Sequence, residues 1–113
     1  VFTHEKFEAY KLSIEFTQLA LSLVEELPPG HSALRDQLRR ATFSIPLNIA
    51  EGTGKMGKRD RQRFYMIARG SAMECSAICD VVSLIDGRLA QRASGAKKRL
   101  ESIVNILSKV CAA

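Results

Sequence analysis

Tryptophan is absent from this sequence, and aromatic residues make up only 6% of it. Few rings are therefore available as stacking platforms for bases. No apolar run approaches the ~18 residues that a membrane span requires, and no secretory signal pattern is visible. The sequence opens on Val1 rather than methionine, so its native start is expected upstream. The three cysteines, Cys75, Cys79 and Cys111, form an odd set without framework spacing, which favours a reducing cytosol. Only two histidines are present, His4 near the N-terminus and His31 in a loop, and no Glu-x-x-His motif accompanies them. Cys75 and Cys79, one helical turn apart, are thus read as small buried thiols rather than metal ligands. No Ser/His/Asp or Cys/His arrangement can be assembled. No catalytic residue, cofactor, metal or small-molecule substrate is expected.

The 113 residues are enough for one domain spanning 1–113 with a real core. A hydrophobic content of 46% with 26% charged residues is ordinary for a soluble globular protein. The net charge of +5 is unevenly spread. Residues 1–34 carry two Lys/Arg against five Asp/Glu, and residues 70–87 carry none against three. Residues 35–69 carry nine against three, a local excess of +6, and residues 88–113 carry six against one. A clustered excess attracts polyanions such as nucleic acid or an acidic protein surface. It is also what a solvated helix face looks like, and composition leaves both readings open.

Alternating strand patterns are missing, whereas helical periodicity runs through the chain. A first helix is expected from about Glu5 to Leu27, closed by Pro28-Pro29-Gly30. On a helical wheel Phe7, Tyr10, Ile14, Leu21 and Val24 fall on one side. Leu12, Phe16, Leu19, Leu23 and Leu27 fall nearly opposite. A lone surface helix needs an apolar stripe only somewhat wider than ~100°, so this one is expected to have neighbours on two sides. Either it is central to its domain, or one face packs the core and the other packs another subunit. The second is favoured because so short a chain has few elements to surround a helix, and it makes Leu12, Phe16, Leu19 and Leu23 candidate interface residues.

The second helix is expected from Ser32, as N-cap, to Glu51, with Gly52 as its stop. Leu34, Leu38, Ala41, Ile45 and Ile49 form its apolar face. A polar row of Gln37, Arg40, Ser44, Asn48 and Glu51 runs beside it. Pro46 sits inside this helix, where the missing N–H and the ring clash cost ~3 kcal/mol unless compensated. The third helix is expected from Lys58 to Leu84, with Phe64, Ile67, Ala68, Ser71, Cys75, Ile78, Val82 and Ile85 inward and Glu74 at the edge. A turn at Asp86-Gly87 leads to a fourth helix from Leu89 to Val110, whose first turns Ser94-Gly95 are able to fray. Its inner face is Leu100, Ile103, Val104, Leu107, Val110 and Cys111. Four amphipathic helices with short links specify an all-α, antiparallel up-and-down four-helix bundle.

Two constellations invite a chemical reading. Gly52-Thr53-Gly54-Lys55-Met56-Gly57-Lys58 matches the opening of a phosphate-binding loop, but Arg59 stands where the magnesium-binding Ser or Thr belongs, and a helix precedes it instead of a strand. Nucleotide hydrolysis is therefore not expected. What survives is a cluster of cations, Lys55, Lys58, Arg59, Arg61 and Arg63, at the start of the third helix, able to hold phosphate oxygens of RNA or DNA. Arg40, Asn48, Glu51 and Glu74 are read as a structural polar motif. Arg40 is expected to pair with Glu51 or Glu74 inside the bundle, and Asn48 to satisfy backbone groups freed by Pro46.

The segments Gln37-Leu38-Arg39-Arg40-Ala41, Ser44-Ile45-Pro46-Leu47-Asn48-Ile49-Ala50-Glu51-Gly52 and Ile67-Ala68-Arg69-Gly70-Ser71-Ala72-Met73-Glu74 resemble the signature of the four-helix-bundle proteins also called 23S rRNA intervening-sequence or S23-type ribosomal proteins. Phe7-Glu8-Ala9-Tyr10 and Leu27-Pro28 fit that family's opening, and the resemblance fades after about residue 85. It implies an up-and-down bundle assembled into a ring-like homo-oligomer, a pentamer in known members, with no established catalytic activity. Some members are encoded inside insertions in rRNA genes. A distantly related group, the accessory variability determinants of diversity-generating retroelements, binds a reverse transcriptase and nucleic acid. Gly57 and Arg61 depart from the pattern, where a capping serine and an aromatic are more usual. The expectation is a cytoplasmic, non-enzymatic homo-oligomer that binds RNA, DNA or a nucleoprotein partner through its basic surface. The competing expectation is a purely structural scaffold.

Overall fold

The computed structural model describes residues 1–112. After a 3-10 turn at Thr3–Lys6 come helix α1 (Glu8–Glu26), helix α2 (Ser32–Thr53) and helix α3 (Lys58–Ile85). A second 3-10 turn, Gly87–Leu89, leads into helix α4 (Ala90–Ala112). Consecutive helices pack on one another and α4 closes against α1. The side-chain bonds between them run in opposite sequence order. Gln37 meets Glu74 while Thr53 meets Tyr65, and Gln62 meets Cys111 while Asp80 meets Lys97. The result is the expected up-and-down bundle, 44 × 24 × 21 Å.

The α1–α2 connection is closed by a residue that periodicity did not single out. Arg35 donates from Nε to the Val24 carbonyl at 3.2 Å and from Nη2 to the carbonyls of Leu27 and Pro28 at 2.5 and 2.7 Å. These oxygens lie at the C-terminal end of α1, where carbonyls lack helical partners and the dipole favours a cation. Gly30 takes φ +95° in this turn, a conformation that side chains with a Cβ rarely adopt.

The core of α1 is Ala9, Ser13, Phe16, Ala20, Leu23, Val24 and Leu27. This corrects the expected subunit interface. Phe16 and Leu23 are 0% and 1% exposed within the single chain, and Leu12 and Leu19 pack half-buried against the core. With α2 on one flank and α4 on the other, α1 finds its two-sided burial inside its own bundle. The apolar residues left outside are Ile14, 46% exposed, and Leu21, two turns away on the same side.

Gly52 is not a stop: α2 continues through it to Thr53. A Cβ there would lie 2.9 Å from two ring carbons of Tyr65 and 3.0 Å from the Arg61 carbonyl oxygen. Glycine at 52 thus lets the Tyr65 ring lie against the α2 backbone. Ser32 is the first helical residue rather than a capping side chain, and Ser94-Gly95 lies within continuous helix. In α3 the buried face is Tyr65, Ala68, Ala72, Cys75, Ile78, Cys79 and Val82. It is rotated from the expected one, because α3 must face α4 as well as α2. Phe64, Ile67 and Ser71 accordingly sit at the edge rather than the centre. In α4 the fully buried positions include Ala93 and Ala96, small residues that a search for bulky apolar side chains passes over.

Replacing Gly52 by alanine is expected to cost on the order of 1–3 kcal/mol through overpacking against Tyr65, measured by urea denaturation; an unchanged midpoint would show that the ring has room to move. Burial pushes the Cys75 and Cys79 thiols up to about 12 and about 11. At pH 8 a thiol reagent should label Cys111 alone in the folded protein and all three cysteines once it is unfolded. The unfolded chain ionises its cysteines near the ordinary value of 9.0, well below the folded value for Cys75. Stability is therefore complete below that pH and declines as pH rises through the interval above it.

Candidate nucleic-acid interface at one end of the bundle

The polar row of α2 is a zipper to α3. Ser71 donates to Ser44 Oγ at 2.8 Å, and Asn48 Nδ2 donates to the same oxygen at 2.9 Å and to the Ser44 carbonyl at 2.8 Å. Further along, Gln37 donates to Glu74 at 3.2 Å. Asn48 therefore does bond the helix backbone, but at Ser44 rather than at the Thr42 carbonyl that Pro46 leaves without its i→i+4 donor. Buried Pro46 is accommodated without ending the helix.

The expected Arg40 pairing is not formed. Arg40 is exposed and makes no ion pair or hydrogen bond among the described residues. Glu51 is held by Lys55 at 3.1 Å, and Glu74 by Gln37. The reason is geometric: Arg40 lies on the solvent side of the α2–α3 seam, beside the small serines that close it. Arg40 and Glu74 both border a shallow, polar depression over that seam.

The five cations of the 55–63 region all sit at the end of the bundle where α2 hands over to α3, but they divide into groups. Lys55 Nζ lies 5.2 Å from the Phe64 ring centroid while paired with Glu51. Arg63 stacks over the other part of this group, its guanidinium carbon 4.4 Å from the same centroid. Asp60 stands 4.0 Å from Arg63 Nε. Arg61 turns the other way and donates from Nη1 to the carbonyls of Lys55 and Met56, each at 3.2 Å, fixing the glycine-rich loop. Arg61 fixes the loop without capping α3, since a guanidinium only donates, and the N-cap, Gly57, supplies no side-chain hydrogen bond. Arg59 is exposed and without a partner among the described residues, and Lys58 is exposed beside it.

Lys58 and Arg61 border a cleft of about 520 Å³ at this end, together with Lys6 from the N-terminal 3-10 turn. Sequence reasoning missed Lys6 because it lies in an acidic segment, so a count by segment hides it. The last turn of α4 carries another exposed cation, Lys109, and is tied to α3 by Gln62 donating to the Cys111 carbonyl at 3.0 Å. The floor of the cleft includes Phe7 and Tyr65, ring centroids 5.6 Å apart, with the Tyr65 hydroxyl 2.8 Å from that of Thr53.

Residues 5–109 match the family model described as 23S rRNA-intervening sequence protein. The chain belongs to this family. The match reaches through α4, well beyond residue 85, where the motif-based resemblance faded. No curated protein matches the sequence. Among the described residues of this family member, no helix is long and apolar enough to cross a membrane. Among the described residues, no group of three or more His, Cys, Asp and Glu is placed to hold a metal ion.

Two substitutions separate the zipper from the exposed charge. Ser44→Val should cost on the order of 1–2 kcal/mol, because Asn48 and Ser71 both lose their shared acceptor. Arg40→Ala should stay within about 0.5 kcal/mol. Denaturant midpoints decide: a larger loss for Arg40→Ala than for Ser44→Val would contradict this division.

Proposed function

We propose that the chain is a non-enzymatic, cytoplasmic homo-oligomer that binds RNA or DNA through the basic end of its bundle. The observation that carries the reading is the convergence of cations from the first 3-10 turn, the 54–57 loop, the start of α3 and the end of α4 on one end. Lys6, Arg59 and Lys109 are exposed there and belong to no ion pair among the described residues. Phosphate contacts of this kind give weak, sequence-tolerant binding. Repetition around a ring converts such contacts into avidity.

Assembly is supported by apolar surface that the single chain leaves uncovered. The outward side of α3 presents Met66, Met73, Val81 and Leu84, the last 87% exposed, with Gly70 and Ala77 between them. On α2, Leu47 is 67% exposed. An apolar stripe of this length on a small bundle marks an interaction surface. It lies on a different face from Ile14 and Leu21 of α1, so copies can meet through two unlike patches. Repeated unlike contacts close into a ring when the rotation allows, and five is the number the family resemblance implies. The same stripe also favours the second reading, a structural scaffold that binds no nucleic acid.

Light scattering on a sizing column should give an oligomer for the native protein and a smaller species for Leu84→Glu at unchanged helicity. A native monomer would overturn the assembly. Fluorescence anisotropy with RNA and DNA should show binding that weakens linearly in log affinity with log salt. The Arg59→Glu/Arg63→Glu variant should bind about tenfold or more weakly at low salt. No binding by the native protein even at low salt would leave the scaffold reading.

A further inference from the structure

The cleft at the basic end differs in build from the surface around it. Its rim carries Lys6, Lys58 and Arg61, no carboxylate side chain among the described residues lines it, and its floor is the apolar surface of Phe7, Tyr65 and Val110. A volume of about 520 Å³ falls within the range of small-molecule sites, roughly 300–1,000 Å³. The floor is fixed in advance. Tyr65 is held by its hydroxyl at Thr53 and by its ring against Gly52. Gln62 at the wall spends an N–H on the Cys111 carbonyl, which leaves its oxygen as an acceptor. Arg61 is anchored through Nη1 alone, so its other N–H groups remain donors at the rim.

A ring of cations over an aromatic and aliphatic floor fits an anion that carries a flat, weakly polar body. A nucleotide has that chemistry: a phosphate for the rim, a base for the floor, and exocyclic groups for the Gln62 oxygen. We infer that the cleft holds one unpaired nucleotide of a bound strand, base against Phe7, Tyr65 and Val110 and phosphate among Lys6, Lys58 and Arg61. The inference rests on the nucleic-acid reading proposed above and makes it specific. A duplex keeps its bases paired and stacked, so it reaches the rim but not the floor. Single-stranded RNA or DNA therefore binds more tightly than duplex of the same length.

The test compares a labelled single strand with its duplex by anisotropy, using the native oligomer and two variants. Phe7→Leu removes the ring while keeping apolar bulk and charge, and Lys6→Gln alters an exposed residue that has no part in the core. The native protein should prefer the single strand by about tenfold. Phe7→Leu should lose most of that preference while duplex affinity stays within about twofold, whereas Lys6→Gln, at the rim that both forms reach, should weaken both to a similar degree. Adenosine monophosphate in excess should displace the single strand and not the duplex. If Phe7→Leu fails to fold, the competition with adenosine monophosphate carries the same comparison. Equal affinity for the two forms, or equal loss on both in Phe7→Leu, would overturn the cleft while leaving the basic surface intact. Absence of binding to either form would remove the nucleic-acid reading itself and the cleft with it.

Discussion

The close approach of α2 and α3 sets the geometry of everything else in this bundle. Small side chains line the seam: Ala41, Ser44 and Gly52 on α2, and Ser71 and Cys75 on α3. Two serine oxygens can meet at 2.8 Å across it only because nothing larger separates the backbones there. The same proximity brings Tyr65 against Gly52, aims its hydroxyl at Thr53, and places the start of α3 beside the end of α2. The loop between them is short, and its carbonyls are gathered by Arg61. The basic end is thus a by-product of tight packing further along the pair.

Much of the architecture was legible from periodicity, since four amphipathic segments separated by Pro-Pro-Gly, a glycine-rich loop and Asp-Gly admit few arrangements. What periodicity misjudged were places where a residue's type hides its task. Gly52 reads as a terminator by its propensity, yet here it is chosen for a missing Cβ. Ala93 and Ala96 carry too little bulk to register as core, although α4 approaches its neighbours through them. The wide apolar arc of α1 did signal neighbours on two sides. A single sequence does not distinguish helices of the same chain from those of another copy, and here α2 and α4 supply both.

The candidate site was legible only in part, for a related reason. Lys55, Lys58, Arg59, Arg61 and Arg63 are adjacent in sequence and were grouped by that adjacency. Folding divides them: Lys55 and Arg63 share the Phe64 ring, Arg61 serves the loop, and Lys58 turns toward a cleft completed by a residue fifty positions earlier. Charge counted along a chain records neither which acids stand nearby nor which distant turn supplies another cation. Arg40 illustrates the converse. Its spacing from Glu51 suggests a buried pair, but Lys55 is closer to that carboxylate and needs no desolvation to reach it.

The Arg35 clamp on the end of α1 has a consequence for how the chain reaches this structure. Its bonds bridge sequence separations of only seven to eleven residues. Joining α1 to α2 therefore fixes little of the chain's freedom, since loop-closure entropy grows with the length enclosed. The contacts of α2 with α3, and of α3 with α4, are likewise made between consecutive helices. The seam that shuts the bundle joins segments farther apart, where Arg92 reaches Glu26 across 66 residues. The largest single entropic cost of the topology falls on bringing the last helix back to the first.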